Sequence, residues 1–312
     1  MAQRVVVEDR RVQGWCEHVG ERGSPRRLPP QWCPYSRVDT GDVIRLVATD
    51  LDGTFWGEDQ VVPAAHLTAA EELIESGVTV LAATSRRPRV VRRQLAMVGL
   101  TLPAVLIDGA LGVDFRSGER FHQSCFDPEI ALGTLAIFQE HDLDPCLYVE
   151  DPEIDIVVSE TPSTCAAHLA YLGAVAGTAD LEVTAPTSEV YAFSVLGLSH
   201  ERLEAAAREL SRLDGPSVLL YPEPDYGDFG LIVTPPGVSK WTGVDAYCQL
   251  HGIAPEEVLA VGDGLNDLPM LRQAGTAVGV RGGVPEAIAG AAHLIDPPDS
   301  EGWAHIVDLI DA

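Results

Sequence analysis

Val43-Ile44-Arg45-Leu46-Val47-Ala48-Thr49-Asp50-Leu51-Asp52-Gly53-Thr54 is the stretch from which the rest of the chain can be read. A mostly apolar run ends in two acids and then in turn residues, the pattern of a buried strand in a parallel sheet. Strand residues two apart point the same way, so Asp50 and Asp52 are expected to share a side. Ligands of such sheets bind at the carboxyl ends of the strands, which puts both acids at the mouth of a site. Adjacent carboxylates repel, so the pair needs a cation or a shared proton. Taken alone, the same two acids also fit a solvated turn.

Moving outward, strand and helix alternate. A helix over 64–76 is closed by Gly77, and an apolar strand over 78–83 ends at Thr84-Ser85-Arg86. Pro88 suits the first turn of the next helix. A third strand over 104–107 ends at Asp108-Gly109-Ala110. From Leu111 the rhythm changes to short strands and helices, the pattern of a separate α+β unit. The first pattern returns with a helix over 238–251, a strand ending at Gly262-Asp263-Gly264-Leu265-Asn266-Asp267, and a strand over 277–280. The fold class expected is α/β: a doubly wound parallel sheet with an inserted α+β cap. The expected boundaries are 1–41 for a flexible extension, 42–111 with 222–312 for the sheet domain, and 112–221 for the cap. The extension has seven Arg against five acids and is broken by Pro25, Pro29, Pro30 and Pro34; Trp15 or Trp32 could dock it elsewhere.

Composition narrows the function. The chain has 312 residues, room for two domains at about 150 each. Its net charge of −26 excludes a nucleic-acid or anionic-membrane surface but not a small phosphate ligand with local cations. The six cysteines are scattered with no C-x-x-C pair, so neither a zinc site nor a redox motif is signalled. No apolar run nears the ~18 residues of a membrane span, and no signal peptide is evident, so a cytoplasmic protein is expected. Arg supplies every basic residue but Lys240, and Asn266 is the single Asn. In so skewed a chain, the places where these types survive point to need.

Asp50, Asp52, Thr84, Ser85, Asp108, Asp263 and Asp267 all fall at strand ends. If they converge, three or four carboxylates face one point, which requires a cation. Oxygen ligands without His or Cys favour Mg²⁺, which prefers phosphate oxygens as partners. Lys240 and the Thr84 hydroxyl would add a charge and a donor for the same phosphate. Asp50, first off its strand, can attack phosphorus in line, and Asp52 can protonate the leaving oxygen and then activate water.

These segments resemble the haloacid dehalogenase-like superfamily. Asp50-Leu51-Asp52-Gly53-Thr54 is similar to its first motif, Ala83-Thr84-Ser85-Arg86 to its second, Val238-Ser239-Lys240 to its third, and Gly262 through Leu271 to its fourth. Their order, with a large α+β cap between the second and third motifs, most resembles the Cof-type sugar-phosphatase branch. The resemblance implies Asp50 as nucleophile and Mg²⁺ ligand, and Asp52 as acid/base that also binds metal through its backbone carbonyl. It implies Thr84, Ser85 and Lys240 on the phosphate, Asn266 reaching the phosphate or Lys240, and Asp263 and Asp267 at the metal. Arg86 is placed to touch substrate. Ser85 stands where the branch usually has Gly, Asp108 where it has Asn, Trp241 where Gly is common, and Gly283 in place of a frequent Asn. The last three are expected near the substrate mouth.

The substrate implied is a small phosphate ester, most simply a sugar phosphate. A phosphomutase or phosphotransferase using the same aspartyl-phosphate is a second possibility, and a non-catalytic metabolite-binding regulator a third. The sequence is silent on oligomeric state. Competing motifs fail: Gly262-Asp263-Gly264 lacks the third glycine of a dinucleotide loop, with Asp267 in its place. There is no phosphate-binding P-loop, and Gly237-Val238-Ser239-Lys240-Trp241 lacks the final glycine of a nucleophile elbow.

Overall fold

The computed structural model describes residues 43–310 except 58, 150–153, 160–162, 164, 214 and 224–225, together with a short antiparallel ribbon of β1 (Glu17–His18) and β2 (Arg26–Arg27). The ribbon belongs to a unit, Met1–Asp42, separate from Val43–Ala312. The expected flexible extension over 1–41, with Trp15 and Trp32, otherwise falls outside the described residues.

In the larger unit an eight-stranded sheet forms around β3 (Leu46–Thr49). On one side of β3 lie β14 (Val258–Gly262), β15 (Thr276–Val280) and β16 (His293–Ile295), all parallel. On the other lie β4 (Thr79–Ala83) and β5 (Pro103–Leu106), also parallel. The sheet then continues antiparallel through β6 (Leu111–Asp114) and β7 (Arg120–Gln123).

The apolar run of β3 is continuous because both of its faces are covered. Val47 packs with α1 (Ala64–Glu75), α2 (Pro88–Met97) and the Trp303 segment. Leu46 and Ala48 pack on the other face against Val244, Tyr247 and Cys248 of α7 (Lys240–His251). Each large side chain buried in this way contributes about 1.5–3 kcal/mol. α7 follows Ser239, whose N–H donates to the Thr242 hydroxyl at 3.1 Å, and it ends at Gly252 in the left-handed region.

The inserted unit is a second sheet of six strands. Its order is β10 (Gly177–Thr178), β9 (Ile156–Val158), β8 (Cys146–Val149), β11 (Val190–Leu198), β13 (Phe229–Thr234) and β12 (Ser217–Pro222). Helices α3 (Pro128–Glu140), α5 (Leu181–Thr187) and α6 (His200–Leu210) cover one face and share an apolar core with it. α4 (Ala166–Val175) packs through Leu172 against Cys146, Ile156 and Val158. The α/β core with an inserted α+β cap is thus as expected.

The boundaries differ from the expected 111/112 and 221/222. β6 and β7 extend the large sheet, and β13 belongs to the cap sheet, where it pairs with both β11 and β12. The cap therefore runs from Phe126, buried in its core, to Thr234. An antiparallel hairpin beside a parallel sheet has the same short-strand pattern as the cap, so sequence rhythm alone does not assign it. Among the described residues no helix is long and apolar enough to cross a membrane.

Candidate active site

The carboxyl ends of β3, β4 and β14 meet at one edge, and α7 delivers its first residue there. Asp50 follows β3 directly, its N–H donating to Val261 O at 2.9 Å. Lys240 is 1% exposed. Its ammonium donates to Asp50 Oδ1 and to Asp267 Oδ1, each at 2.6 Å. Oδ2 of Asp267 accepts from the N–H groups of Asp263 and Gly264 at 3.0 and 2.8 Å. Both oxygens of this fully buried carboxylate are therefore engaged, which fixes the loop that presents Asp263. Oδ1 of Asp263 accepts from the Thr54 hydroxyl at 2.7 Å. The second oxygens of Asp50 and Asp263 are left without a hydrogen-bond partner among the described residues.

Electrostatics here are those of a site short of positive charge. Burial raises the Asp50 carboxyl well above its ordinary range, against the pull of Lys240 and helped by Asp267 and Asp263. Burial also pushes Asp263 up to about 6, with Asp267 adding to the effect. For Lys240, burial alone would lower the ammonium, but Asp267 and Asp50 outweigh it and hold the charge. One cation among two buried acids and a half-buried one leaves an excess of negative charge. Asp50, Asp263 and Asp267 each bring an oxygen within 4.8 Å of the others. An all-oxygen set with two free acceptors and surplus negative charge fits a hard divalent ion such as Mg²⁺.

The glycines around this point keep backbone close to the acids. Gly53 has φ +76°, and a Cβ there would lie 2.7 Å from Asp263 Oδ2. Gly283, one of the departures from the branch pattern, has a packing reason: a Cβ would lie 2.7 Å from Asp263 O.

Asp52 does not follow the strand-alternation expectation. β3 ends at Thr49, and Asp52 lies in a turn, bridged to Trp56. Its carboxylate lines the same cleft as Asp50 but stands outside the three-acid cluster. Arg86 holds it through two bonds, Nε to Oδ2 at 2.6 Å and Nη2 to Oδ1 at 2.7 Å, and Trp56 Nε1 adds a third at 2.8 Å. Arg86, expected on the substrate, is thus engaged with Asp52.

Thr84 sits at the end of β4, buried, and its Oγ1 accepts from the Arg86 N–H at 3.1 Å, which leaves its hydroxyl hydrogen to donate. Ser85 Oγ donates to Asp108 Oδ1 at 2.8 Å. Asn266 Nδ2 donates to Ser85 Oγ and Asp108 Oδ1, both at 2.9 Å. Both amide hydrogens are thereby used, so Asn266 fixes Ser85 and Asp108 rather than pointing donors at a phosphate. Asp108, buried at φ +51°, is a member of this cluster. Trp241 packs against the apolar cluster under α7 and does not line the cleft, contrary to its expected place at the mouth.

Two residues the sequence reading did not single out support Asp50 from behind. His66 hydrogen-bonds Phe55 O through Nδ1 at 2.9 Å and accepts the Trp303 N–H at Nε2 at 3.2 Å. Burial lowers its pKa, which keeps it neutral for both bonds. Trp303 Nε1 donates to Thr49 Oγ1 at 2.9 Å, and that hydroxyl donates to Asp50 O at 2.8 Å. The sequence signal for His66 was a His in a mostly apolar stretch; Trp303, which follows Ser300-Glu301-Gly302, carried none.

The haloacid dehalogenase-like hydrolase profile matches residues 47–307, spanning the acids, the cap and the Trp303 buttress. The chain belongs to this hydrolase family. The hydrolase is 27% identical over 251 residues to HMP-PP phosphatase of Cronobacter sakazakii, covering 80% of this chain and 89% of that protein. It is 24% identical over 294 residues to the chloroplastic endoribonuclease YBEY of Arabidopsis thaliana, covering 86% of this chain but 48% of that one, so it spans about half of that relative's length. The fold matches the crystal structure of a haloacid dehalogenase-like hydrolase from Bacteroides thetaiotaomicron with a TM-score of 0.70, at 21% identity over 86% of this hydrolase and 99% of that chain.

Proposed function

We propose that the hydrolase is a Mg²⁺-dependent phosphomonoesterase of the Cof-type branch, cytoplasmic, acting on a small phosphorylated metabolite. One observation supports this above all: Lys240 bridges Asp50 and Asp267 at 2.6 Å each, with Asp263 alongside, at the mouth of a cleft. That arrangement orients a carboxylate nucleophile and leaves room for a divalent ion and a phosphate. Asp50 and Asp263, with the Asp52 backbone carbonyl, would hold Mg²⁺, and Asp267 would support the ion or its water. Bound there, the ion supplies charge neutralisation between nucleophile and phosphate.

The residues then divide the work. The free Asp50 oxygen attacks phosphorus, the leaving oxygen takes a proton from Asp52, and phosphate is carried on Asp50. Asp52 then takes a proton from water, whose oxygen attacks phosphorus and frees Asp50. Lys240 and the Thr84 hydroxyl stabilise charge on the phosphate oxygens. Since both Asp52 oxygens accept from Arg86, a proton on Asp52 requires one of those bonds to open. Closure of the cap over the site would exclude bulk water during turnover. A sugar phosphate is the substrate suggested by the order of the motifs. The test is a phosphate-release screen over phosphate esters with Mg²⁺ and with chelator. Release that depends on Mg²⁺ is expected, and isomerised product without phosphate would instead indicate a mutase.

A further inference from the structure

Arg87 is rooted in the sheet domain and ends inside the cap. Its root is fixed, because the loop of Thr84, Ser85 and Arg86 before it is tied to the end of β5. The Thr84 N–H donates to Val105 O at 2.9 Å, the Ile107 N–H to Arg86 O at 3.1 Å and the Asp108 N–H to Thr84 O at 3.2 Å. Arg87 then stands at the start of α2, its carbonyl accepting from the Val91 N–H at 3.2 Å. The side chain turns to the cap. Its guanidinium donates to the Asp155 carboxylate, just before β9, and to the Tyr171 hydroxyl of α4. It lies 5.8 Å from the Tyr148 ring of β8 and 5.7 Å from the Tyr171 ring.

The pair is buried, with 6% of the Arg87 side chain and 10% of the Asp155 side chain exposed. Taking two charges out of water offsets much of their attraction, so an apolar pair would join the two domains at least as firmly. The ion pair adds direction and easy parting. A guanidinium held by a carboxylate, a hydroxyl and two ring faces has a defined orientation, and on separation both charges regain their water. The second Asp155 oxygen is buried without a partner among the described residues, so Arg87 is the group that balances this acid. The corner of the cap held in this way has a small core of its own, formed by Cys146, Ile156, Val158 and Leu172. Cys146, Ile156 and Leu172 also line the cleft, beside Tyr148 and Tyr171. The adjacent Arg86 grips Asp52. One fixed loop therefore carries the Thr84 hydroxyl, the hold on Asp52 and the hold on the cap.

We propose that Arg87 and Asp155 are positioning residues that latch the cap to the loop of Thr84–Arg86. With the pair made, this corner of the cleft is closed; with the pair parted into water, the corner lifts and the cleft opens. This rests on the phosphomonoesterase reading and specifies what holds the cap during turnover.

Two buried thiols report the opening. Cys146 lines the cleft at this corner, and burial pushes its pKa up to about 12, so it reacts when the corner lifts. Cys248 is buried in the sheet domain, on α7, and reacts when that domain unfolds. The test follows modification of the full chain by N-ethylmaleimide, cysteine by cysteine, through peptide mass mapping. Asp155→Asn, which leaves Arg87 in place, and Arg87→Met should each speed modification of Cys146 about tenfold or more, with Cys248 within about twofold of wild type. Loss of Arg87 also removes a charge that lowers the Cys146 pKa, which works against faster modification. Arg87→Lys keeps the charge but not the planar fork and should fall between. With acetyl phosphate and Mg²⁺, Asp155→Asn should lower kcat about tenfold. An unchanged Cys146 rate, an equal rise at Cys248, or an unchanged kcat overturns the latch. If the wild type releases no phosphate from acetyl phosphate or other esters, the phosphatase reading falls, and the two thiol rates still decide whether the pair holds the cap. Asp155→Asn and Arg87→Lys decide the matter even if Arg87→Met does not fold.

Discussion

Arg86 grips Asp52 with two parallel hydrogen bonds, at 2.6 and 2.7 Å, and Asp52 stands outside the cluster of Asp50, Asp263 and Asp267. The two motif acids thereby have different surroundings: Asp50 is buried on a cation, and the Asp52 side chain is 44% exposed. The pair is half in solvent, so it adds about 0–1 kcal/mol to stability at most. Its effect should instead appear in turnover. Arg86→Ala is expected to leave Tm nearly unchanged and to lower kcat about tenfold to hundredfold, since Asp52, the proposed proton donor, loses its orientation. Steady-state kinetics beside a thermal melt check both halves.

Lys240 behaves oppositely, because it is buried between two acids. Lys240→Met leaves Asp50 and Asp267 facing each other without a counter-charge. Breaking a buried pair in this way costs about 3–5 kcal/mol. Denaturant unfolding of the metal-free variant should show a loss of that size, partly offset by added Mg²⁺. Activity should fall about a hundredfold or more, as when a preorganised donor is removed.

The raised carboxyls set the pH dependence. Asp263 is shifted from 3.8 in the unfolded chain up to about 6, and Asp50 moves in the same sense. A carboxyl raised on folding favours the metal-free folded protein at low pH. That contribution is whole below about pH 4 and is lost as pH rises through about 6. Mg²⁺ takes the deprotonated form, so its stabilising effect runs the other way. The rise in Tm on adding Mg²⁺ should be small near about pH 5 and large near about pH 7.5. Calorimetry in buffers of different ionisation enthalpy should show proton release on binding near about pH 6.

Gly53 permits the close approach of Asp263 to the first motif. At φ +76°, with a Cβ 2.7 Å from Asp263 Oδ2, Gly53→Ala meets both backbone strain and a clash. The strain alone is about 1–2 kcal/mol. The variant should melt lower and bind Mg²⁺ more weakly, as a Tm titration with the metal would show.

Much of this site was legible because its chemistry is local in sequence. Asp50, Thr84, Lys240, Asp263 and Asp267 each end a strand or start a helix, and their arrangement follows once the strands are parallel neighbours. What depended on contact between distant segments was not legible. Whether Arg86 meets substrate or Asp52 depends on a turn that the alternation rule does not describe. The use of both Asn266 hydrogens depends on Ser85 and Asp108, far off in sequence. Strands β6 and β7 extend the large sheet rather than the cap, and β13 closes the cap rather than returning to the large sheet, because a short strand does not say which neighbour it will pair with. His66 and Trp303 read as ordinary core residues until their bonds through Thr49 to Asp50 are seen.

Asp50 is the proposed nucleophile of a metal-dependent phosphatase. Asp50→Asn keeps the size of the side chain and its acceptor for Lys240 but removes the attacking carboxylate. Phosphate release by this variant in saturating Mg²⁺, beside a wild type that is active on the same ester, should fall by about a thousandfold or more, with the fold intact by circular dichroism. Release within tenfold of wild type would contradict the account.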